Sequence, residues 1–516
     1  MVRRAVRGSV AALALMFFTT AAGAAEAAGP GIGAELSLWW IIPFVGMLLS
    51  IAICPVVDHH WFEKQYPKVT LFWTLAFAVP FVALYSMGGK FYTAMHEILH
   101  IYLVDYFPFI ILLGGLFVAS GGIVLRGTLV GTPIVNVGFI AVGSVLASLI
   151  GTTGASMLLI RPLLRANSHR KRRIHIVVIF IFLVSNIGGS LTPLGDPPLF
   201  LGFLHGVPFQ WTLSLLPQML FVILIVLAVF YFLDKKMDAK EETHSPTETT
   251  PLSIAGGHNF LYLLGIMGAV LMSGVWRPEE VMILGVKVSP SSLLRDGIIL
   301  GISALAFLTT KRELREENRY TWEPIREVGI LFAGIFMTII PAIAILKAGE
   351  EGALAPIIRA ASSETAYLWL TGILSSFLDN APTYLTFFNT ALGKLSLTEP
   401  AVGEFLRNSP LPWFTAAAAD PQLVQQIMQN HPDLNMTAEQ LGTNLQQFEA
   451  FLKAISMGAV FMGANTYIGN APNFMVRSIA IQDGVKMPSF FGYMGWSAAI
   501  LIPIFIVATL LFIVVI

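Results

Sequence analysis

Charged residues are scarce in this sequence. Only 12% of its 516 residues are Asp, Glu, Lys or Arg, whereas about a quarter of a soluble domain is charged. The 31 basic and 31 acidic residues cancel, so no nucleic acid or acidic surface is indicated as a partner. Hydrophobic residues make up 55% of the chain. This composition predicts a protein whose main partner is the lipid bilayer.

Cysteine and nucleotide-binding motifs are scarce as well. The only cysteine, Cys54, lies in an apolar run and can form no intramolecular disulfide, so it does not report the redox compartment. The sequence contains no Gly-x-x-x-x-Gly-Lys-Thr motif, which argues against a pump driven directly by ATP. No cofactor is expected.

Residues 1–28 have the layout of a secretory signal. Arg3, Arg4 and Arg7 precede the apolar run 10–18, and small residues follow, with a candidate cleavage site near Ala25. An uncleaved signal anchor is the alternative, although the run is short for a full membrane span. In either case residue 30 is expected outside the cytoplasm.

Two similar segments lie in two separate, strongly apolar stretches. Residues 189–198 read GSLTPLGDPP and residues 463–472 read GANTYIGNAP. Matching Gly and Pro positions predict two interrupted helices, which lipid tolerates only where the freed backbone is buried or lines a cavity. Upstream of each, the segments 148–154 (SLIGTTG) and 376–382 (SFLDNAP) interrupt further apolar runs. The chain is therefore predicted to be a duplicated membrane protein.

The predicted fold is an all-α polytopic membrane protein, an inverted structural repeat with two re-entrant hairpins and two broken helices. The first transmembrane repeat covers 30–234 and the second 259–516, with a cytoplasmic linker at 235–258 between them. In each repeat three spans precede a hairpin, a broken helix and a last span. The predicted hairpins are 133–164 and 364–394, and the predicted broken helices are 174–206 and 451–482.

Basic clusters and one polar stretch set the predicted topology. The clusters at 165–173 and 311–319 both lie on the cytoplasmic side of this arrangement, as the positive-inside rule requires. The stretch 395–450 is polar, with Pro, Asn and a Gln-rich run. It has no counterpart in the first repeat and is predicted to be an external insertion.

Oxygen-bearing side chains at the interruptions are candidate ligands of a cation. A hard cation such as sodium needs oxygen atoms to replace its water, and interrupted helices offer carbonyls, hydroxyls and amides. A carboxyl group also couples cation binding to protons, because burial favours its protonated form and a nearby cation its ionised form. The candidate sodium- and proton-binding residues are Asp196, Asp379, Asn380, Thr152, Thr153, Thr192, Asn465, Thr466, Asn470 and Asn473.

Structural explanations exist for some of these residues. Either Asp can cap a short helix, and Thr192 or Thr466 can bond a carbonyl of its own helix. An intramembrane Asp is costly, however, so a transport role is preferred for both carboxylates. Glycine and proline are expected to shape the backbone rather than bind. These structural positions are Gly189, Gly195, Pro197, Gly463, Gly469 and Pro472.

The motifs resemble those of the ion transporter superfamily, which includes NhaD-type sodium/proton antiporters, arsenite permeases, citrate transporters and divalent-anion/sodium symporters. Residues 192–196 (TPLGD) are similar to the antiporters' Thr-Pro-x-Gly-Asp, and residues 379–382 (DNAP) to their Asp-Asn-x-Pro. The anion symporters carry Ser-Asn-Thr at the hairpin tips, where this sequence has GTT at 151–153 and DNA at 379–381. The resemblance implies a homodimer in the inner (cell) membrane of a bacterium.

One motif points to a different chemistry. Residues 96–100 (HEILH) match the His-Glu-x-x-His pattern of zinc proteases, which places both imidazoles on one helix face. No third ligand is evident in the sequence and the segment falls in a predicted external loop, so no zinc is expected. Tyr102 and Tyr106 are expected to anchor this stretch at the lipid headgroups.

Three functions are compatible with these motifs. The leading prediction is a secondary antiporter that exchanges sodium for protons at the carboxylates of interrupted helices. The alternative is sodium- or proton-coupled uptake of citrate or another carboxylate, with the anion resting against helix N-termini. The third is a membrane zinc protease at His96 and His100. An enzyme is not expected.

Overall fold

Helices account for nearly all regular structure in this computed structural model, which describes residues 32–127, 129–240, 251–348, 351–413 and 419–515. The predicted signal at 1–28 lies outside these residues. Within the described ranges, nine helices are long and apolar enough to cross a membrane. The predicted fold class, an all-α polytopic membrane protein, is confirmed.

The described part of the first half of the chain contains nine α-helices. They are α1 (Ile42–Val57), α2 (His59–Met87), α3 (Phe91–His100), α4 (Phe107–Ser120), α5 (Pro133–Ile150), α6 (Thr152–Ala166), α7 (Ile174–Leu183), α8 (Pro197–Leu204) and α9 (Leu216–Asp238). A short strand, β1 (Val124–Arg126), follows α4 and pairs antiparallel with β2 (Ser253–Ala255). The end of the predicted linker is therefore tied to the loop after α4.

The second half contains twelve α-helices among its described residues. They are α10 (Asn259–Val275), α11 (Pro290–Thr309), α12 (Arg312–Glu317), α13 (Glu323–Lys347), α14 (Ala355–Ala360), α15 (Glu364–Phe377), α16 (Asn380–Leu395), α17 (Glu399–Asn408), α18 (Pro421–Asn430), α19 (Ala438–Met462), α20 (Ala471–Gln482) and α21 (Phe490–Thr509). The strands β3 (Val281–Ile283) and β4 (Val286–Val288) form a small hairpin between α10 and α11.

The helices end and restart at the predicted interruptions. Helices α5 and α6 meet at Gly151, whose φ of 82° favours glycine, and α15 and α16 meet at 378–379. Irregular backbone and a 3₁₀ turn separate α7 from α8. A second 3₁₀ turn lies between α19 and α20. Gly and Pro therefore located both hairpin tips and both breaks in the sequence.

The two halves make matching hydrogen bonds between hairpin and break. The Thr192 hydroxyl donates to the Ser148 carbonyl, and the Thr466 hydroxyl donates to the Ser376 carbonyl. Ser148 Oγ donates to the Gly188 carbonyl at 2.5 Å, and Ser376 Oγ makes the equivalent bond to Met462 at 3.0 Å. This correspondence supports the duplication, whereas the inverted orientation and re-entrance in the bilayer stay predictions.

The segment 91–120 differs from the sequence-based prediction. A π-helical turn, Ile101–Tyr106, joins α3 to α4, and together they make one apolar segment of 30 residues. The segment around residue 96 is therefore helical and not the predicted loop, because the π turn joins it to the helix that contains Pro108. The predicted start of the span at 108 and the external position of residue 96 stay predictions. The hydroxyls of Tyr102 and Tyr106 donate to carbonyls of α13 at 2.9 Å and 3.0 Å. The two tyrosines thus link this segment to α13, and their anchoring at the lipid headgroups stays a prediction.

The predicted insertion at 395–450 is largely helical. It contains α17 and α18, and α19 begins at Ala438, upstream of the predicted start at 451. The earlier start has a local cause, since the Thr437 and Gln440 side chains form a reciprocal capping box. Leu441 and Leu445 bury the apolar face of this extension against the rest of the molecule.

A buried polar cluster fixes the base of the first hairpin. Asp234 of α9 accepts from Arg170 Nη1 at 2.5 Å and from Asn136 Nδ2 at 2.9 Å, and His175 Nε2 lies 2.7 Å from the same carboxylate. Asn136 and Asn167 exchange amide hydrogen bonds at 2.8 Å and 3.0 Å. Helices α5, α6, α7 and α9 are therefore held together at one end by a single carboxylate.

The predicted topology can be tested by cysteine labelling on intact cells. We expect a cysteine at position 171 to be protected from an impermeant thiol reagent and one at position 439 to react, each in a Cys54→Ser background. Lys171 and Glu439 are both exposed, so protection reports the side of the membrane rather than burial. Labelling at 171 from outside would refute the inverted arrangement.

Candidate functional site

The carboxylate of Asp196 lies at the centre of the predicted site. The residue ends the first break, has extended backbone and is only 1% exposed. Its Oδ1 accepts from Thr152 Oγ1 at 3.0 Å and from Asn470 Nδ2 at 2.9 Å. Its Oδ2 accepts from Asn380 Nδ2 at 2.5 Å. Both hairpin tips and both breaks therefore meet at one carboxylate.

The groups that donate hydrogen bonds to this carboxylate are neutral. The three donors are a hydroxyl and two amides, and neither break motif contains Lys or Arg. Helices α6, α8, α16 and α20 all begin beside the site, so their N-termini add partial positive charge. Among the residues that the structure describes, no charged group donates a hydrogen bond to this carboxylate, so it has no fixed counter-ion there. The arrangement suits a proton or a small cation that enters and leaves.

Asp379 occupies a different setting from Asp196. Its side chain accepts from the Ala381 N–H at 3.1 Å and so caps α16. The residue is half-buried, and the next residue, Asn380, donates to Asp196. The helix-capping explanation thus describes the observed contact of Asp379. A transport role for it stays a prediction.

The other predicted ligands divide by their contacts. Thr192 and Thr466 bond carbonyls of the hairpins and not of their own helices. Asn473 donates to the carbonyls of Gly463 and Thr466, both at 2.9 Å, and so braces the second break. Thr153 is half-buried beside Thr152 and is not one of the donors to Asp196.

Close backbone approach explains two pairs of glycines. A Cβ atom on Gly195 would collide with the carbonyl of Gly189, and one on Gly469 would collide with that of Gly463. The Pro197 and Pro472 rings occupy the first turns of α8 and α20, where the missing N–H costs no helical bond. These residues shape the breaks and leave binding to their neighbours.

Two site residues that the sequence motifs did not reveal, Ser185 and Asn186, lie at the end of α7. Asn186 is fully buried and its Nδ2 donates to Asn473 Oδ1 at 2.7 Å, linking the two breaks. The Ser185 carbonyl accepts from Asn470 Nδ2 at 3.2 Å. Two adjacent polar residues in the otherwise apolar run 176–187 were the available signal.

Three buried amide oxygens at the site have no hydrogen-bond donor among the described residues. They belong to Asn186, Asn380 and Asn465. A buried acceptor without a donor is costly unless another group satisfies it. Oxygens of this kind are the ligands that sodium uses. The Asp196 carboxylate and these amide oxygens are therefore a set of oxygen ligands that fits a hard cation.

The sequence also matches the model of a known protein family. Residues 33–513 match the model of a family described as "Putative citrate transport". The chain belongs to this family. No curated protein matches it. The match confirms the resemblance to the ion transporter superfamily and its citrate transporters, and it makes the chain an integral multi-pass secondary transporter.

The described residues of this member of the citrate-transport family provide no third ligand for the zinc-protease motif. The rings of His96 and His100 are 6.0 Å apart, and His96 Nδ1 lies 3.8 Å from Glu97 Oε1. Across the described ranges, no three His, Cys, Asp or Glu side chains are grouped as a metal site would require. The family and the helical membrane fold favour a protein that is not an enzyme.

Proposed function

We propose that this protein exchanges sodium ions for protons at Asp196. The supporting observation is that both hairpin tips and both breaks contribute to the surroundings of this one buried carboxylate. A carboxyl group binds a proton or a cation but not both at once, so the two ions compete. Competition at one buried site is the simplest basis of obligatory exchange.

The neutral surroundings of Asp196 favour a cation over an anion at this position. An anion would face the negative carboxylate without a cationic side chain at either break motif to offset the repulsion. A sodium ion would instead meet the carboxylate and the amide oxygen of the neighbouring Asn380, which has no hydrogen-bond donor among the described residues. A positive ion would stabilise both the amide oxygen that lacks a donor and the charge of the Asp196 carboxylate.

Coupled uptake of citrate or another carboxylate is the second candidate. Two observations favour it: the family is described as a citrate-transport family, and the N-termini of α6, α8, α16 and α20 converge on the site. Backbone N–H groups at helix N-termini bind carboxylates and phosphates. In this case sodium or a proton at Asp196 would accompany the anion.

Transport by purified protein in liposomes separates the two candidates. With a pH dye inside, a pulse of external sodium without any carboxylate should make the interior alkaline if sodium enters as protons leave. The apparent sodium affinity should weaken as pH falls from about 9 to 6, by up to about tenfold per pH unit for one competing proton. An affinity that stays flat, with a pH change that requires citrate, would contradict antiport and support uptake.

A further inference from the structure

Four charged side chains form a chain of ion pairs at the end of α8 remote from Asp196. His205 follows α8, with Nε2 3.0 Å from Asp105 Oδ1 and Nδ1 2.8 Å from Glu399 Oε2. Glu399 Oε1 accepts from Lys347 Nζ at 2.7 Å. We call Asp105, His205, Glu399 and Lys347 together the His205 chain.

Burial makes the inner part of the His205 chain depend on its pairing. Asp105 and His205 are almost fully buried, whereas the side chains of Glu399 and Lys347 are 25% and 44% exposed. A carboxylate lies within ion-pair distance of each ring nitrogen of His205, an arrangement that favours the positively charged imidazolium. Burial opposes ionisation of Glu399, yet the charges of His205 and Lys347 hold its pKa well below the usual range.

The four residues come from four different elements. Asp105 lies in the π-helical turn, Lys347 ends α13, and Glu399 is the first residue of α17 in the insertion. His205 is the C-terminal cap of α8, where the helix dipole favours a positive charge. The His205 chain thus connects α8 to the insertion, to the π-helical turn and to α13. Neither the π-helical turn nor α13 provides a hydrogen-bond donor to Asp196.

Helix α8 connects the His205 chain to the candidate site. Asp196 precedes its first residue and His205 follows its last, so the two lie about 14 Å apart at a rise of about 1.5 Å per residue. Gly202 packs closely against the Tyr384 hydroxyl of α16, which leaves no room for a Cβ atom. Because α8 is a short and closely packed helix, holding its outer end also holds Asp196.

We propose that the His205 chain positions Asp196 through α8 and that the insertion, through Glu399, helps to hold the site closed. A secondary transporter must expose its buried site at some stage, and Asp196 is 1% exposed here. Exposure by movement of α8 requires the ion pairs to separate. Asp105, His205 and Glu399 are then positioning residues that do not touch the ion. The proposal rests on Asp196 as the transport site, whichever ion is carried.

Thiol labelling beside Asp196 tests this directly. Ala381 is fully buried next to Asn380. A cysteine at position 381, in a protein that also carries Cys54→Ser, reacts with a thiol reagent only when the site opens. The full-length protein in lipid nanodiscs is exposed to a water-soluble maleimide on both faces. We expect Glu399→Gln and Asp105→Asn each to label about tenfold faster than the parent, because a tenfold shift in opening needs only about 1.4 kcal/mol.

Glu404→Gln is the matched control. Glu404 lies on the same helix α17, but its carboxylate contacts Gln426, Asn430 and His431, all within the insertion. Its removal should leave the labelling rate unchanged. Unchanged labelling in Glu399→Gln and Asp105→Asn, or equal acceleration in Glu404→Gln, overturns the proposal. If Asp105→Asn does not fold, the labelling rate of Glu399→Gln, which changes a partly exposed residue, decides alone. Labelling needs no transported ion, so a failure to exchange sodium is a separate result that concerns the proposed function.

Discussion

An Asp196→Asn variant is expected to lose coupled exchange while it still folds and inserts. The substitution keeps the size of the side chain but removes the charge that protons and the cation share. The introduced amide can still accept from Thr152 and Asn470 through its oxygen, and the Asn380 amide can turn to present its unpartnered Oδ1 to the new N–H₂ group. Sodium-driven alkalinisation in liposomes should therefore fall to the level of empty vesicles at unchanged melting temperature.

Asp58→Asn serves as the matched control, because Asp58 caps α2 at an exposed position far along the chain from either break. Exchange should remain normal in that variant. Asp379→Asn is informative beside it, since Asn caps helices as well as Asp and the fold should persist. Loss of exchange there would assign the second carboxylate to transport as well. Wild-type exchange by a correctly inserted Asp196→Asn protein would exclude Asp196 from the mechanism.

An Asp234→Ala variant is expected to lose about 3–5 kcal/mol of the free energy of unfolding, the range for breaking a buried ion pair. Arg170 and Asp234 both have side chains with no exposure, so the change leaves a buried guanidinium without its main partner. Denaturant titration in detergent micelles would measure the loss. We expect the base of the first hairpin to open before the rest of the molecule.

Asp238→Ala removes a carboxylate from the same arginine and provides the comparison. Asp238 Oδ1 lies 2.5 Å from Arg170 Nη2, but its side chain is 39% exposed. Exposed pairs contribute only about 0–1 kcal/mol, so this variant should be nearly as stable as the parent. Equal losses in the two variants would show that burial of Asp234 is not the cause.

Glycine and proline made the interruptions predictable from sequence. Residues that lack a Cβ or an N–H favour a break in an apolar helix, and here they recur in the same register in two membrane-length runs. The matching registers at 189–198 and 463–472 then pointed to Asp196 and Asn470, which the structure brings to 2.9 Å. Local backbone chemistry and repetition were sufficient for this part of the site.

Contacts between distant segments were not predictable in the same way. Nothing local distinguishes Asn186 as the partner of Asn473, 287 positions away, and the pairing of His205 with Glu399 depends on how the insertion folds back. The continuous helix through Pro108 needed a π turn, which has no simple sequence signature. Sequence patterns therefore identified the candidate ligands but not the residues that hold them in place.

The pairing of Asp196 with Asn470 gives a physical reason for a chemical difference between the two halves. These residues occupy the same position of the repeated motif, and their side chains touch across the pseudo-symmetric centre. If both halves carried Asp there, two carboxylates about 3 Å apart would share one proton and could not both ionise. Replacing one by an amide turns a self-repelling pair into a donor and an acceptor. The two breaks keep a matching backbone, and at this position only the first of them carries an ionisable side chain.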